Sequence, residues 1–198
     1  MKGLIKKVLV MVALIAAVTV SYANEISHNE SKNEKNTTNL TLANVKSGAI
    51  LKIIDKNGFI LYKEVIEKEG TYSKEFDLTE LPNGNYFFEL NKEVEIIEIP
   101  FSVSNGVVKF DKHSKKTIFK PVVYYNDGKV FISKMSFDAE TMDVSIYYED
   151  DTKVLKDAKI AKKGNVLGKI YDFTGSEKGT YTLIITNNGR EFVNQVKI

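Results

Sequence analysis

The chain has no cysteine and no tryptophan, and among its 198 residues it has only three prolines, two histidines and one arginine. Without cysteine, no disulfide can cross-link the fold and no thiolate can serve as nucleophile or metal ligand. The lipid-attachment cysteine of a bacterial lipoprotein is absent too. His28 and His113 stand apart in polar stretches, and no Gly-x-Ser-x-Gly elbow occurs, so neither a Ser-His nor a Cys-His pair can be assembled. Acids are abundant, but glycosidic chemistry needs two carboxyls at a set separation in a cleft, and no spacing marks such a pair. These absences predict a protein that is not an enzyme and uses no cofactor. Of the 28 basic residues only Arg190 is arginine, so the forked guanidinium that grips carboxylates bidentately occurs once.

What is present begins with a leader. Lys2, Lys6 and Lys7 precede an apolar run from Val8 to Val20, and Ser21, Tyr22 and Ala23 supply small residues for peptidase cleavage after Ala23. The run is short of the roughly 20 apolar residues that span a bilayer, so residues 1–23 read as a signal peptide and the mature protein is expected to carry no transmembrane anchor. The leader holds three basic residues and no acid, which leaves 25 basic against 26 acidic residues behind it. A net charge near −1 excludes the clustered positive excess of a nucleic-acid binder. From Asn24 to Asn39 the composition is polar, with Ile26 and no other aliphatic residue, and predicts a disordered tether.

Behind the tether the punctuation is that of a β protein. Asn57-Gly58, Asn83-Gly84, Asn105-Gly106, Asp127-Gly128 and Asn188-Gly189 carry the dipeptide that tolerates positive φ in tight hairpins. Between them run short segments of β-branched and aromatic residues with period-two alternation. The pattern also repeats: Leu42–Phe101 returns as Met135–Ile198, pairing Leu51 with Val144, Ile53 with Ile146, Gly84 with Gly179 and Tyr86 with Tyr181. Seven strands are expected near 40–45, 50–55, 59–66, 72–78, 85–91, 94–103 and 107–111. Seven more are expected near 118–125, 129–137, 142–148, 153–160, 166–173, 180–186 and 191–197. The fold class is therefore all-β, two tandem immunoglobulin-like antiparallel β-sandwich domains after a signal peptide, at 40–116 and 117–198. The boundary is expected between Asp111 and Thr117, where Asp-Lys-His-Ser-Lys-Lys interrupts the apolar pattern.

The stretch FDLTELPNGNYFFEL (residues 76–90), preceded by ILKIIDKNGFILYKE (residues 50–64), resembles the carboxy-terminal sorting module of Bacteroidota type nine secretion cargo. Leu78, Leu81, Gly84 and Tyr86 match that family's Leu-x-x-Leu-x-x-Gly-x-Tyr box, and Asp55, Asn57 and Gly58 match its Asp-x-Asn-Gly turn. In the second repeat Gly179 and Tyr181 keep the end of the box, and Val196, Lys197 and Ile198 supply a terminal strand. The leucine spacing is replaced there by Phe173-Thr174-Gly175-Ser176. The resemblance implies export and contact with the type nine machinery, with the protein in the periplasm, at the cell surface or outside the cell.

Two readings of function follow. One is an exported, non-catalytic binding or structural module at the envelope; the other is a secretion cargo whose second module is a sorting signal. Alternation puts Phe87 and Tyr147 on outer strand faces, which makes them candidates for holding an envelope protein or a glycan. The missing tryptophan weighs against the glycan. Glu149, Asp150 and Asp151 cluster at a turn, but their spacing fits no calcium loop, so they read as solvated and no metal is expected.

Overall fold

Alternating apolar residues become strands wherever the alternation was legible. The computed structural model describes residues 26–30, 37–111, 114–138, 140–149 and 152–198. The leader, tether residues 24–25 and 31–36, His113, Asp150 and Asp151 lie outside the described residues. Among those described there is no helix, and every strand pairing is antiparallel.

The first sandwich is built from β1 (Ile26–Glu30), β2 (Thr38–Val45), β3 (Ile50–Asp55), β4 (Ile60–Val65), β5 (Gly70–Phe76), β6 (Gly84–Asn91), β7 (Glu95–Ser104), β8 (Val107–Phe110) and β9 (Lys116–Phe119). One sheet runs β1-β2-β5, the other β4-β3-β6-β7-β8, with β9 also paired to β7. The second sandwich uses β10 (Val122–Asn126), β11 (Lys129–Met135), β12 (Thr141–Tyr148), β13 (Thr152–Ala161), β14 (Val166–Asp172), β15 (Thr180–Asn187) and β16 (Arg190–Lys197). Its sheets run β10-β11-β14 and β13-β12-β15-β16, the same order as the first once β8 and β9 are set aside.

Each sandwich closes over its own core. In the first, Leu40 and Leu42 of β2 and Phe76 of β5 face Leu51, Ile53, Phe88, Leu90 and Phe101 of the opposing sheet. Phe88 touches three rings, with centroids 5.2 Å from Phe76, 5.3 Å from Phe101 and 6.3 Å from Phe110. Burying a phenylalanine this completely stabilises a fold by about 2–3 kcal/mol. The second core is largely aliphatic, with Val130, Ile132, Met142, Val144, Ile146, Leu167, Leu183 and Ile185. Register agrees with the alternation: Ile53 lies opposite Phe88, and Ile146 opposite Leu183.

A tyrosine fastens the same corner in both. The Tyr86 hydroxyl donates to the Pro82 carbonyl at 2.7 Å, and Tyr181 to that of Glu177 at 3.0 Å, each four residues back. This is the tyrosine-corner device of immunoglobulin-like sandwiches.

Three expectations need correction. Part of the tether is strand, because Ile26–Glu30 pairs with β2, Ile26 opposite Leu42 and Glu30 opposite Thr38. Composition measures the apolar surface a segment can bury, whereas an edge strand needs only backbone partners. The strand expected at 118–125 is two strands: Lys116–Phe119 pairs with β7, and Val122–Asn126 pairs with β11. Pro121 between them has no N–H to continue a ladder, so the chain crosses between sandwiches at Lys120-Pro121 rather than between 111 and 117. Finally, Asn105-Gly106, Asp127-Gly128 and Asn188-Gly189 have positive φ at both residues, as a type I′ hairpin requires, but Asn57 and the Asn83-Gly84 pair do not. Asp55 shapes the Asn57 turn instead, accepting from the N–H of Asn57 at 2.8 Å and of Phe59 at 2.9 Å.

Candidate functional site

Between the sandwiches lies a row of charges that alternation alone would leave in solvent. On the outer face of the large first sheet, cross-strand register sets Lys52 opposite Glu89, Glu89 opposite Glu98, and Glu98 opposite Lys116. Like charges directly opposite one another destabilise a sheet, so Glu89 and Glu98 need a cation between them. Arg190, at the start of β16 in the second sandwich, supplies it. Its Nη2 lies 2.7 Å from Glu89 Oε2 and also donates to Glu98 Oε1, while Lys52 Nζ reaches Glu89 Oε1 at 3.0 Å. Glu89 is only 2% exposed. Burial alone pushes its carboxyl up, but donation from Lys52 and Arg190 overturns that effect and holds it below the usual carboxylate value. The chain's one arginine thus joins the two sandwiches across 101 residues of sequence.

Nearby, Lys134 Nζ pairs with Glu140 Oε2 at 3.0 Å, both nearly fully buried. Ser136 Oγ donates to the same carboxylate at 3.1 Å, and Asn188 Nδ2 to Glu140 Oε1 at 2.8 Å. These bonds stiffen the loops that face β9. Phe137 follows Ser136, and its ring meets Phe119 of β9 edge-on, centroids 5.9 Å apart, a second contact across the junction.

Each sandwich also closes the seam between its two sheets with an acid, a lysine and a tyrosine. In the first, Glu64 of β4 receives Lys74 Nζ at 2.8 Å, Tyr72 at 2.9 Å and the Tyr62 hydroxyl. The Lys74 and Tyr62 bonds hold the Glu64 carboxyl at about 2, and burial beside that carboxylate pushes the Tyr72 hydroxyl up. In the second, Asp157 of β13 receives Lys169 at 3.0 Å and Tyr171 at 3.3 Å. Burial and the Asp157 charge raise the Tyr171 hydroxyl.

The two sequence-derived candidates are not brought together. Phe87 sits half-buried on the outer face of β6, opposite Ile54 and Pro100 in register. Tyr147 sits half-buried on β12, opposite Thr182. The junction residues Glu89, Glu98 and Arg190 were not singled out by sequence reasoning, although a lone arginine in a lysine-rich chain was a signal. Among the described residues no group of three or more His, Cys, Asp or Glu is placed to hold a metal. Glu149, from the acidic turn, lies with Oε1 3.3 Å from the Thr180 N–H. No helix among the described residues is long and apolar enough to cross a membrane.

The family model for the secretion system C-terminal sorting domain matches residues 34–99. That match spans β2 to β6 and the first half of β7, and the sorting box inside it is structural. Leu78 is buried in the core, Gly84 opens β6, and Tyr86 stacks on Phe101 with centroids 5.5 Å apart. Two solved structures are also similar to the chain. A biofilm associated protein BSP domain shares 15% identity at a TM-score of 0.29, covering 83% of this chain and 27% of that one. The human OSCAR ligand-binding domain shares 10% identity at a TM-score of 0.25, covering 82% and 89%. The chain therefore spans about a quarter of the length of the biofilm-associated chain. No curated protein sequence matches it.

Proposed function

We propose that this is an exported, non-catalytic protein of the type nine secretion route, working at the cell surface or beyond it as a binding or structural module. One observation carries the reading: the sorting-domain match at residues 34–99 coincides with a complete sandwich corner in which the box residues pack as a unit. A second sandwich with the same strand order follows, and the pairing of Leu51 with Val144 and Tyr86 with Tyr181 supports duplication of one ancestral module. The junction favours both sandwiches remaining in the working protein. Removing the second would strip Arg190 from the buried Glu89 and expose the facing Glu98.

The second reading, cargo with a removable C-terminal module, rests on the same family match. Intact mass of the protein recovered from periplasm, outer membrane and medium of its native host separates them. The first predicts one species spanning both sandwiches at the surface or in the medium, dependent on the secretion apparatus. A surface species ending near Lys120 would establish the second. Protein confined to the periplasm whether or not the apparatus is present would overturn both.

A further inference from the structure

Beside β9 opens a groove of about 1310 Å³. Its walls are the β2–β3 turn, the β6–β7 turn and one face of β9, and four lysines line it, Lys46, Lys92, Lys115 and Lys120, against two acids, Glu93 and Glu95. Lys92 is paired with Glu95 at 2.9 Å. Among the described residues Lys46, Lys115 and Lys120 have no carboxylate within ion-pair distance, and Lys120 Nζ donates instead to the Lys92 carbonyl. Val94, 57% exposed, and Phe137, 63% exposed, add apolar surface to the same groove. No strand among the described residues pairs with the far edge of β9.

We propose that this groove binds an extended acidic peptide segment of a partner protein, laid along the free edge of β9 with its carboxylates on Lys46, Lys115 and Lys120 and an apolar side chain against Val94 and Phe137. An open sheet edge accepts a strand through backbone hydrogen bonds, while flanking side chains choose its sequence. Lysines on an edge strand ordinarily discourage pairing, and Lys115 and Lys116 taken alone would do only that. Lys46, Lys92 and Lys120 lie on turns rather than on that edge, however, and still line the same groove. Burial lowers the pKa of Lys115 and of Lys120; the Lys92 charge adds to the effect at Lys115 and Lys52 at Lys120, while Glu95 opposes it at Lys115 and Glu89 and Glu93 oppose it at Lys120. An incoming carboxylate would offset the burial cost that the neighbouring glutamates leave uncompensated at both ammonium groups. The groove is open and larger than the roughly 300–1,000 Å³ typical of small-molecule pockets, which suits a chain segment better than a compact ligand.

The test is independent of the export route. Full-length mature protein is titrated with a fluorescent hexapeptide alternating glutamate and valine, with its lysine–valine counterpart, and with vesicles containing anionic phospholipid. The proposal expects saturable, salt-sensitive binding of the acidic peptide and at least about tenfold weaker binding of the basic one. It also expects slowed amide exchange across residues 116–119 in the complex. The variant Lys115→Glu/Lys120→Glu, confirmed folded by an unchanged melting transition, should lose the binding, whereas Lys56→Glu on the distant β3–β4 turn should keep it. Should the double variant fail to fold, the single Lys46→Glu serves the same purpose. Absence of acidic-peptide binding, equal binding of both peptides, binding without protection of 116–119, or binding of the vesicles alone would each overturn the proposal.

Discussion

The two sandwiches share a strand order and differ in what fills them. The first packs Phe76, Phe88, Phe101 and Phe110 ring against ring, while the second fills most of its interior with valine, isoleucine, leucine and one methionine and keeps its rings, Tyr171, Phe173 and Tyr181, to one part of the core. Shape is therefore not carried by particular core side chains, since cores accept different apolar residues when volume and pattern are kept. What stays constant is the framework: a tyrosine bonded four residues back, a glycine two residues before it, and an acid–lysine–tyrosine seam. Even the seam is conserved in geometry rather than in order. Tyr72 precedes Lys74 on β5, whereas Lys169 precedes Tyr171 on β14.

The largest expected effect separates the cores. Phe88→Ala should cost about 3–5 kcal/mol and Leu183→Ala about 2–4 kcal/mol in denaturant unfolding, since each leaves a cavity in a fully buried site. Equal losses would argue that the ring cluster adds nothing beyond volume. Next, Arg190→Met should cost about 3 kcal/mol by leaving Glu89 and Glu98 opposed without their shared cation. Calorimetry should then resolve two transitions, and adding Glu98→Gln should recover part of the loss by removing the like-charge contact.

Glycine sharpens the contrast further. A methyl at Gly179 would lie 2.7 Å from the Tyr148 ring and 2.6 Å from Glu149 Oε1, and that ring is held against Tyr181 with centroids 4.9 Å apart. At Gly84 the nearest atom is the Tyr86 hydroxyl at 3.4 Å. Gly179→Ala should therefore destabilise by about 1–3 kcal/mol, well above the effect of Gly84→Ala, as melting temperatures would show. The smallest effect concerns pH. Glu64 titrates at about 2 in the folded protein against an ordinary value of 4.5, so its contribution is complete above about 4.5 and fades as pH falls towards 2. Glu64→Gln should flatten that part of the acid-side stability curve, and a profile identical to wild type would show the seam to be without energetic weight.

Strand positions were legible because a strand with one buried face writes period two into its sequence. Tyr86, Phe88 and Leu90 on β6, and Tyr181, Leu183 and Ile185 on β15, all lie in the cores where alternation puts them. The same rule misjudged Glu89. Alternation places it outward, and outward normally means wet, yet the second sandwich covers it. Ile26–Glu30 was missed for a related reason, since its structure depends on the edge of β2 rather than on its own apolar content.

The sequence by itself determined the all-β class, three of the five Asn/Asp-Gly hairpin turns and the apolar alternation, because each follows from local backbone preference and side-chain alternation. Only tertiary structure decided that Lys116–Phe119 belongs to the larger sheet of the first sandwich, that Arg190 bridges Glu89 and Glu98, and that lysines from three separate segments line one groove. Those features join residues tens of positions apart, and no local spacing records which distant charge will neutralise another until the chain has brought them together.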